Sequence, residues 1–204
     1  MPQKKLRGRP PNDPDATKEA LLNAAAKLFN ADGYFGTDSN KIARAAGFAP
    51  ATFYRHFRDK KEVFLAAYAY WVTEDWEVIE ASIKGAKDSA GIARLLVESY
   101  ESHHRQWGSF RRSMHALVAT DEEARAFHIK VRAAQLDRLD ALLRQMGAPA
   151  RPREDLLFRF LSIERAANAL TDDDLPVLGT SAARLRSRIQ QAVQELLMHK
   201  RSPR

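Results

Sequence analysis

The chain has 204 residues, of which 45% are hydrophobic and 29% are charged, so it is expected to fold into one or two globular domains with a buried core. This composition excludes a fibrous chain and a chain that is disordered throughout. The formal net charge is +7, and the first 61 residues carry 12 basic against 6 acidic side chains. An acidic partner such as nucleic acid is therefore expected to bind the amino-terminal third.

The sequence contains no cysteine, which excludes disulfides, iron–sulfur clusters, zinc fingers and thiol nucleophiles, and which fits a reducing cytoplasm. The basic residues near the amino terminus are not followed by an apolar run, so no secretory signal is expected. The longest uncharged apolar stretch, residues 63–73, is about half of the roughly 20 residues that cross a bilayer. We expect a soluble cytoplasmic protein that binds no membrane and needs no metal or cofactor.

Apolar residues recur at three- and four-residue spacing, without the two-residue alternation of strands, which predicts an all-α protein of about nine helices. Ser39, Asp59 and Thr120 are expected to cap the helices that follow them. The predicted helices span about residues 16–32, 40–46, 50–57, 60–84, 89–106, 110–118, 121–146, 153–170 and 181–200.

The second and third predicted helices are short and are joined by residues 47–49, an arrangement typical of a helix-turn-helix. Ile42, Ala43 and Phe53 are expected to pack inward, while polar and basic side chains face outward. The second helix of such a motif enters the major groove of DNA, which is about 12 Å wide. This segment therefore predicts a module that reads DNA sequence.

The segments "LF", "DGYFGT", "IARAAG" and "TFYRHF", followed by a lysine after a short turn, stand in one order between residues 28 and 61. This part of the chain resembles the DNA-binding domain of the tetracycline-repressor (TetR) family. The resemblance covers about residues 15–65, and the rest matches the family in length and helix pattern. Ala49 stands where the family usually has Ser or Thr, so a helix cap worth about 1 kcal/mol is missing, and Phe48 replaces the commoner Val.

The resemblance implies a flexible basic arm at residues 1–14, a three-helix DNA-binding domain at 15–60 and a helical regulatory domain for ligand binding and dimerisation at 61–204. Within the second domain, early residues of the recognition helix are expected nearest the bases, and the flanking polar residues are expected to hold phosphates. The implied DNA contacts are Ser39, Asn40, Lys41, Pro50, Ala51, Thr52, Tyr54, Arg55, His56 and Lys60. Arg55 is the best candidate for a guanine contact.

The arm contains Arg7-Gly8-Arg9-Pro10, which resembles the core of an AT-hook. Such a segment lies in a narrow minor groove of A·T-rich DNA. Arg7 and Arg9 are therefore candidate DNA contacts, and a solvated tail is the alternative interpretation.

The last two predicted helices each carry an apolar stripe, and two such helices from each of two copies would form a four-helix bundle. The candidate interface residues are Leu157, Phe160, Leu161, Leu185, Ile189, Val193, Leu196 and Leu197. The resemblance implies the same homodimer, whose two-fold symmetry predicts a near-palindromic operator on double-stranded DNA.

A small-molecule pocket is implied by the resemblance within the helices that follow the DNA-binding domain. The candidate lining residues are His103, Trp107, Phe110, Met114, Phe127, Val131, Phe158, Glu164, Arg165 and Asn168. Ordinary core packing, or a buried network in which these polar groups satisfy each other, is the alternative interpretation.

An enzyme is disfavoured, because the sequence has no GxSxG, HExxH, Walker or GxGxxG motif. An architectural DNA-binding protein with little sequence preference is the other alternative. The favoured hypothesis is a homodimeric transcriptional repressor. The resemblance implies that a small molecule releases it from DNA through a shift of the long fourth helix.

Overall fold

The computed structural model describes residues 13–85, 88–171 and 175–198, and within these ranges the chain forms nine helices and no strand. The all-α expectation is confirmed. The helices are α1 (Pro14–Asp32), α2 (Ser39–Ala45), α3 (Pro50–Tyr54), α4 (Lys60–Gly85), α5 (Ser89–Gln106), α6 (Gly108–Thr120), α7 (Glu122–Gln145), α8 (Arg153–Ala169) and α9 (Ala182–Leu197). None of the helices in these ranges combines the length and apolar character needed to cross a bilayer.

The described residues divide after Tyr68 into two compact units. The first unit is built around aromatic side chains of α1, α3 and the start of α4, which are fully buried. Phe29 of α1 meets Phe64 of α4 edge to face, with ring centroids 4.8 Å apart. Ile42 of α2 and Phe53 of α3 are also fully buried, so the two short helices are anchored by the inward residues that the sequence predicts.

Helix α2 begins one residue earlier than its sequence suggests, because Asp38 and not Ser39 is its cap. Asp38 has an extended backbone, and its Oδ1 accepts a hydrogen bond of 2.8 Å from the Lys41 amide. That bond also holds the pKa of the Asp38 carboxyl below its usual range. Ser39 is the first helical residue, and the expectation that it caps the helix was wrong.

The cap of α4 follows the expectation. Asp59 Oδ1 accepts a hydrogen bond of 2.8 Å from the Glu62 amide, and Glu62 Oε2 accepts one of 2.6 Å from the Arg58 amide. At α7, by contrast, Thr120 is the last residue of α6, and Asp121 Oδ1 accepts the capping bond of 2.9 Å from the Ala124 amide. The predicted cap at Thr120 was therefore misplaced by one residue.

The second unit has two apolar clusters, and α9 packs against both α5 and α8. Ile189 and Val193 of α9 lie in the first cluster with Val97 of α5, and Leu196 lies in the second with Leu156 of α8. Nearly all of the surface of these α9 side chains is therefore covered by the chain itself.

Candidate functional site

At the centre of the turn between α2 and α3, the backbone has a conformation that only glycine adopts easily. Gly47 has a φ of +84°, in the left-handed region. The amides on either side of this bend are satisfied by α2, since Gly47 donates to the Arg44 carbonyl and Phe48 to the Ala43 carbonyl, at 3.0 and 2.9 Å. This closure fixes where the next helix begins.

Helix α3 presents one buried and one exposed face. Phe53 is fully buried and Phe57 nearly so, whereas Tyr54 is 57% exposed and Arg55 is exposed. The helix is shorter than predicted, because regular α-helix ends at Tyr54 and residues 55–57 close as a turn. Of the other predicted base-proximal residues, Pro50 and Ala51 are exposed and Thr52 is half-buried.

The start of α3 has no side-chain cap. Ala49 occupies the cap position with an extended backbone and makes no side-chain hydrogen bond, as its sequence predicts, and Pro50 begins the helix. Proline is well suited to this position because it has no amide hydrogen to satisfy. The exposed side of α3 is therefore held by Phe53 and by the preceding turn.

The residues predicted to contact phosphates lie at the starts of α2 and α4 and around the end of α3. Asn40 and Lys41 are exposed at the first turn of α2, and Ser39 and His56 are half-buried. The Lys41 ammonium donates a hydrogen bond of 2.8 Å to the Gly36 carbonyl, so its side chain bends back toward the preceding loop.

Lys60 is already bound within the first unit. Its ammonium donates a hydrogen bond of 2.9 Å to the Tyr34 carbonyl and lies 4.3 Å from the centre of the Tyr34 ring. Burial lowers the pKa of Lys60. Tyr34 is thus a supporting residue that was not predicted as part of the site, although "DGYFGT" contains it.

The neighbouring Phe35 and Gly36 were also missed as candidates. Phe35 is 75% exposed, which is unusual for a phenylalanine. Gly36 packs so closely that a Cβ atom there would lie 2.3 Å from the Asp32 carbonyl oxygen. The glycine lets the loop before α2 pack against the end of α1. Arg7 and Arg9 lie outside the described residues.

The second unit contains a cavity of about 170 Å³ between α4, α5, α7, α8 and α9. Most of its wall is apolar. Its polar or acidic lining residues are Asp75, Ser99, Tyr100, Gln135 and Glu164. Its aromatic lining residues are Trp76, Tyr100 and Phe160.

Of the two carboxylates in this wall, Asp75 is the one that faces histidine side chains. Its Oδ1 lies 3.3 Å from His103 Nδ1, and its Oδ2 lies 3.8 Å from His104 Nε2. Burial, with smaller contributions from Glu164 and Glu74, raises the pKa of Asp75 to about 7. Burial also lowers the pKa of His104 to about 3, so this imidazole is uncharged at neutral pH.

Glu164, the second carboxylate of the wall, is paired. The Arg132 guanidinium donates a hydrogen bond of 2.6 Å to Glu164 Oε1, and both side chains are about one-fifth exposed. The two acidic groups of the cavity therefore differ, because Glu164 has an arginine partner and Asp75 faces neutral histidines.

Only Glu164 among the ten predicted pocket residues lines this cavity. His103 and Phe110 instead pack around Trp71, with centroids 5.4 and 6.2 Å from its ring. Phe158 is 70% exposed and Arg165 is exposed, so neither faces the interior. The remaining candidates, none of which lines the cavity, are Trp107, Met114, Phe127, Val131 and Asn168.

Several residues predicted for the dimer interface line the cavity instead, namely Phe160, Ile189, Val193, Leu196 and Leu197. Ile189, Val193 and Leu196 are at most 8% exposed, so within one copy of the chain these side chains pack in its own core. The stripe on α9 is apolar because it covers the chain's own core. Leu185 is half-buried.

The outer face of α8 keeps three large apolar side chains in solvent. Leu157 is 41%, Phe158 70% and Leu161 45% exposed. Leu161 follows Leu157 by four residues and Phe158 by three, so the three side chains share one side of the helix.

Residues 21–67 match a known family, described as bacterial regulatory proteins, tetR family. Over 67 residues the chain is 34% identical to the HTH-type transcriptional regulator AcrR of Shigella flexneri, and the match covers 33% of this chain and 27% of that regulator. Over 115 residues it is 35% identical to the transcriptional regulator AcuR of Cereibacter sphaeroides, covering 55% of this chain and 52% of AcuR. The chain thus spans from about a quarter to about half of the length of these relatives.

The fold is also shared with solved structures. A transcriptional regulator from Rhodococcus sp. Rha1 superposes with a TM-score of 0.64 at 18% identity, covering 88% of this chain and 95% of that one. At this identity the likeness establishes the architecture of the helices and nothing about ligands.

Proposed function

Because residues 21–67 match the family described as bacterial regulatory proteins, tetR family, we propose that the chain is a DNA-binding transcriptional regulator of this family. It binds a near-palindromic operator as a homodimer, and a small molecule in the cavity of the second unit releases it. Residues 15–60 supply the DNA-binding domain, and residues 61–204 supply the regulatory domain.

The observation that carries this proposal is the exposed face of α3. Arg55 and Tyr54 are in solvent while the adjacent Phe53 is fully buried, so the polar side chains stand on a rigid support. A guanidinium in this position is suited to donate to two acceptors of a guanine, and a tyrosine hydroxyl to a phosphate. The exposed Lys41 and Arg44 of α2 add positive charge for the backbone.

A homodimer is supported by the exposed apolar face of α8. Leu157, Phe158 and Leu161 form a self-complementary surface when two copies meet about a two-fold axis. Phe158→Asp is expected to give a monomer in sedimentation equilibrium, because it places a charge at the most exposed apolar side chain of this face. Ile129→Asp, at an apolar side chain of α7 that is 54% exposed, is the matched control and is expected to stay dimeric. A dimeric Phe158→Asp variant would contradict this assignment.

Release by a small molecule is supported by the cavity and by the path of α4. This helix contributes Lys60 at its start and Asp75 and Trp76 to the cavity wall. A ligand that repositions the wall is therefore proposed to act on the operator-bound state through α4.

The test is selection of bound sequences from a random pool of double-stranded DNA at near-physiological salt. Enrichment of an inverted repeat is the expected result. Binding without enrichment would replace the proposal with a low-specificity architectural DNA-binding protein, and no binding at all would contradict a DNA-binding role.

A further inference from the structure

The cavity wall is uneven in charge. It contains the two carboxylates Asp75 and Glu164, and none of its lining residues is a lysine, arginine or histidine. Arg132 reaches Glu164 and neutralises it, as its hydrogen bond of 2.6 Å shows. Asp75 is therefore the carboxylate of the wall that can form an ion pair with a ligand.

Among the described residues, the partners of Asp75 are two histidines, at 3.3 and 3.8 Å. Burial lowers the pKa of both His103 and His104, so neither supplies a positive charge at neutral pH. A carboxylate in apolar surroundings is costly to ionise without a cation beside it. A ligand that brings a positive charge therefore gains an ion pair that the empty protein does not make.

The rest of the wall fits an apolar ligand body. Ile79, Leu96, Leu139 and Ile163 lie among the many aliphatic lining residues. The volume of about 170 Å³ exceeds the roughly 10–15 Å³ that one water needs by an order of magnitude. The rings of Phe160 and Trp76 already have the guanidinium groups of Arg132 and Arg138 over them, at 5.6 and 5.4 Å, so the preference of the wall for a cation depends on Asp75.

An anionic ligand is disfavoured by the same arrangement. Its charge would meet Asp75 without a basic lining residue to balance it. A neutral ligand would fill the apolar space and leave the Asp75 carboxyl without a charged partner.

We propose that the cavity binds an organic cation, with an apolar body along the aliphatic wall and a protonated amine or quaternary ammonium head beside Asp75. This inference rests on the proposed function, since it names the class of effector that the regulatory unit takes.

The test uses three probes with the same eight-carbon chain, namely octylamine, 1-octanol and octanoate, titrated calorimetrically into the full chain at pH 7. Octylamine is expected to bind about tenfold or more tightly than 1-octanol, the usual effect of a hydrogen bond to a charged group. Octanoate is expected to bind more weakly than either. Equal binding of amine and alcohol, or tighter binding of octanoate, would overturn the proposal.

Asp75→Asn tests the residue, and Glu77→Gln is the matched control because Glu77 is an exposed carboxylate of the same helix that does not line the cavity. Asp75→Asn is expected to bind octylamine and 1-octanol equally, while Glu77→Gln keeps the preference of the unmodified chain. A preference that persists in Asp75→Asn would overturn the assignment of the head group. Far-UV circular dichroism checks that both variants fold.

A second readout needs no variant. The titratable and charged groups around Asp75 are Glu74, Tyr100, Glu164, His103 and His104, with Arg132 on Glu164, and the pKa of Asp75 itself is raised to about 7. Binding a cation favours the ionised form of Asp75, so octylamine is expected to release protons at pH 7, measured in two buffers of different ionisation enthalpy. Octanol is expected to release none, and equal release for both probes would contradict the ion pair.

DNA selection on the same preparation separates this inference from the proposed function. A chain that enriches an inverted repeat but does not prefer the amine would overturn the ligand class alone. A chain that prefers the amine but binds no DNA would support the cation site and overturn the regulator.

Discussion

The Tyr100 hydroxyl donates a hydrogen bond of 2.8 Å to Asn168 Oδ1, which links α5 to α8 in the second unit. The Tyr100 ring is stacked on His104 with centroids 3.7 Å apart, and Asn168 is 4% exposed. Burial raises the pKa of Tyr100 above its usual value, so the hydroxyl stays a donor at neutral pH. A buried amide oxygen thus has its partner supplied by a residue of the cavity wall.

Tyr100→Phe is expected to lower the free energy of unfolding by about 1–3 kcal/mol, because it leaves the Asn168 oxygen buried without this donor. Urea denaturation followed by circular dichroism measures the effect. Tyr54→Phe is the matched control, since Tyr54 is 57% exposed, and is expected to change stability by less than about 0.5 kcal/mol. A stability loss of the same size in both variants would show that the Tyr100–Asn168 bond contributes nothing specific.

Arg55→Ala is expected to weaken binding to the selected operator by about 1–3 kcal/mol and to relax base preference at one position of each half-site. Arg94→Ala removes the same charge from an exposed position of α5 and is expected to bind with nearly unchanged affinity. Fluorescence anisotropy with the operator and with single-base variants distinguishes the two effects. A uniform loss across all sequences would show that Arg55 contacts a phosphate and not a base.

Ala49→Ser is expected to raise the free energy of unfolding by about 0.5–1 kcal/mol, because a serine there can accept a hydrogen bond from an amide in the first turn of α3. The backbone of Ala49 is already extended, as a cap requires, with φ −71° and ψ 151°. Thermal and urea denaturation measure the gain. Ala51→Ser, inside the same helix and also exposed, is the control that should give no gain.

The stability of the chain is expected to fall as the pH is lowered from about 6.5 to 4. Burial lowers the pKa of His104 to about 3 and that of His128 to about 4, so in this interval the unfolded chain binds more protons at these sites. Asp75 acts in the opposite direction, because its raised pKa makes the folded chain bind the extra proton between about pH 4 and 7.

Two variants test this balance by urea denaturation at several pH values. His128→Gln is expected to flatten the fall, because it removes a site that protonates in the unfolded chain. Asp75→Asn is expected to steepen it, because it removes the opposing site. The reverse order of slopes would contradict the assigned directions of the shifts.

The first unit was predictable in detail because its residues are constrained locally. Gly47, Pro50 and Phe53 have spacings that fix a turn, a helix start and a core anchor within seven residues. One cap in each unit was misplaced by one residue, at Ser39 in the first and at Thr120 in the second. In each case a neighbouring aspartate, Asp38 or Asp121, provides the acceptor. Nothing in the local pattern distinguishes two adjacent capping side chains.

The cavity was not predictable because an apolar stripe does not identify the surface that covers it. Ile189 and Val193 have the spacing of an interface and lie in the chain's own core. Phe158 was predicted for the pocket and Phe160 for the dimer interface, whereas the structure places Phe158 in solvent and Phe160 in the cavity wall. Two residues apart on a helix, they differ by about 200° in direction, and only tertiary packing decides which one faces inward.

Two sides of helix α8 have different surroundings, a cavity on one and solvent on the other, although the helix is only about 10 Å wide. Phe160 and Glu164 border the cavity, while Leu157 and Leu161, which precede them by three residues each, face solvent. In a saturation library of this helix, the phenotype of each substitution should therefore depend on the direction in which the side chain points from the helix axis. Substitutions on the cavity side should reduce the response to inducer, and substitutions on the solvent side should reduce assembly of the dimer. Substitutions at the seam between the two sets should affect both phenotypes together, which makes this helix the most informative stretch for a genetic screen.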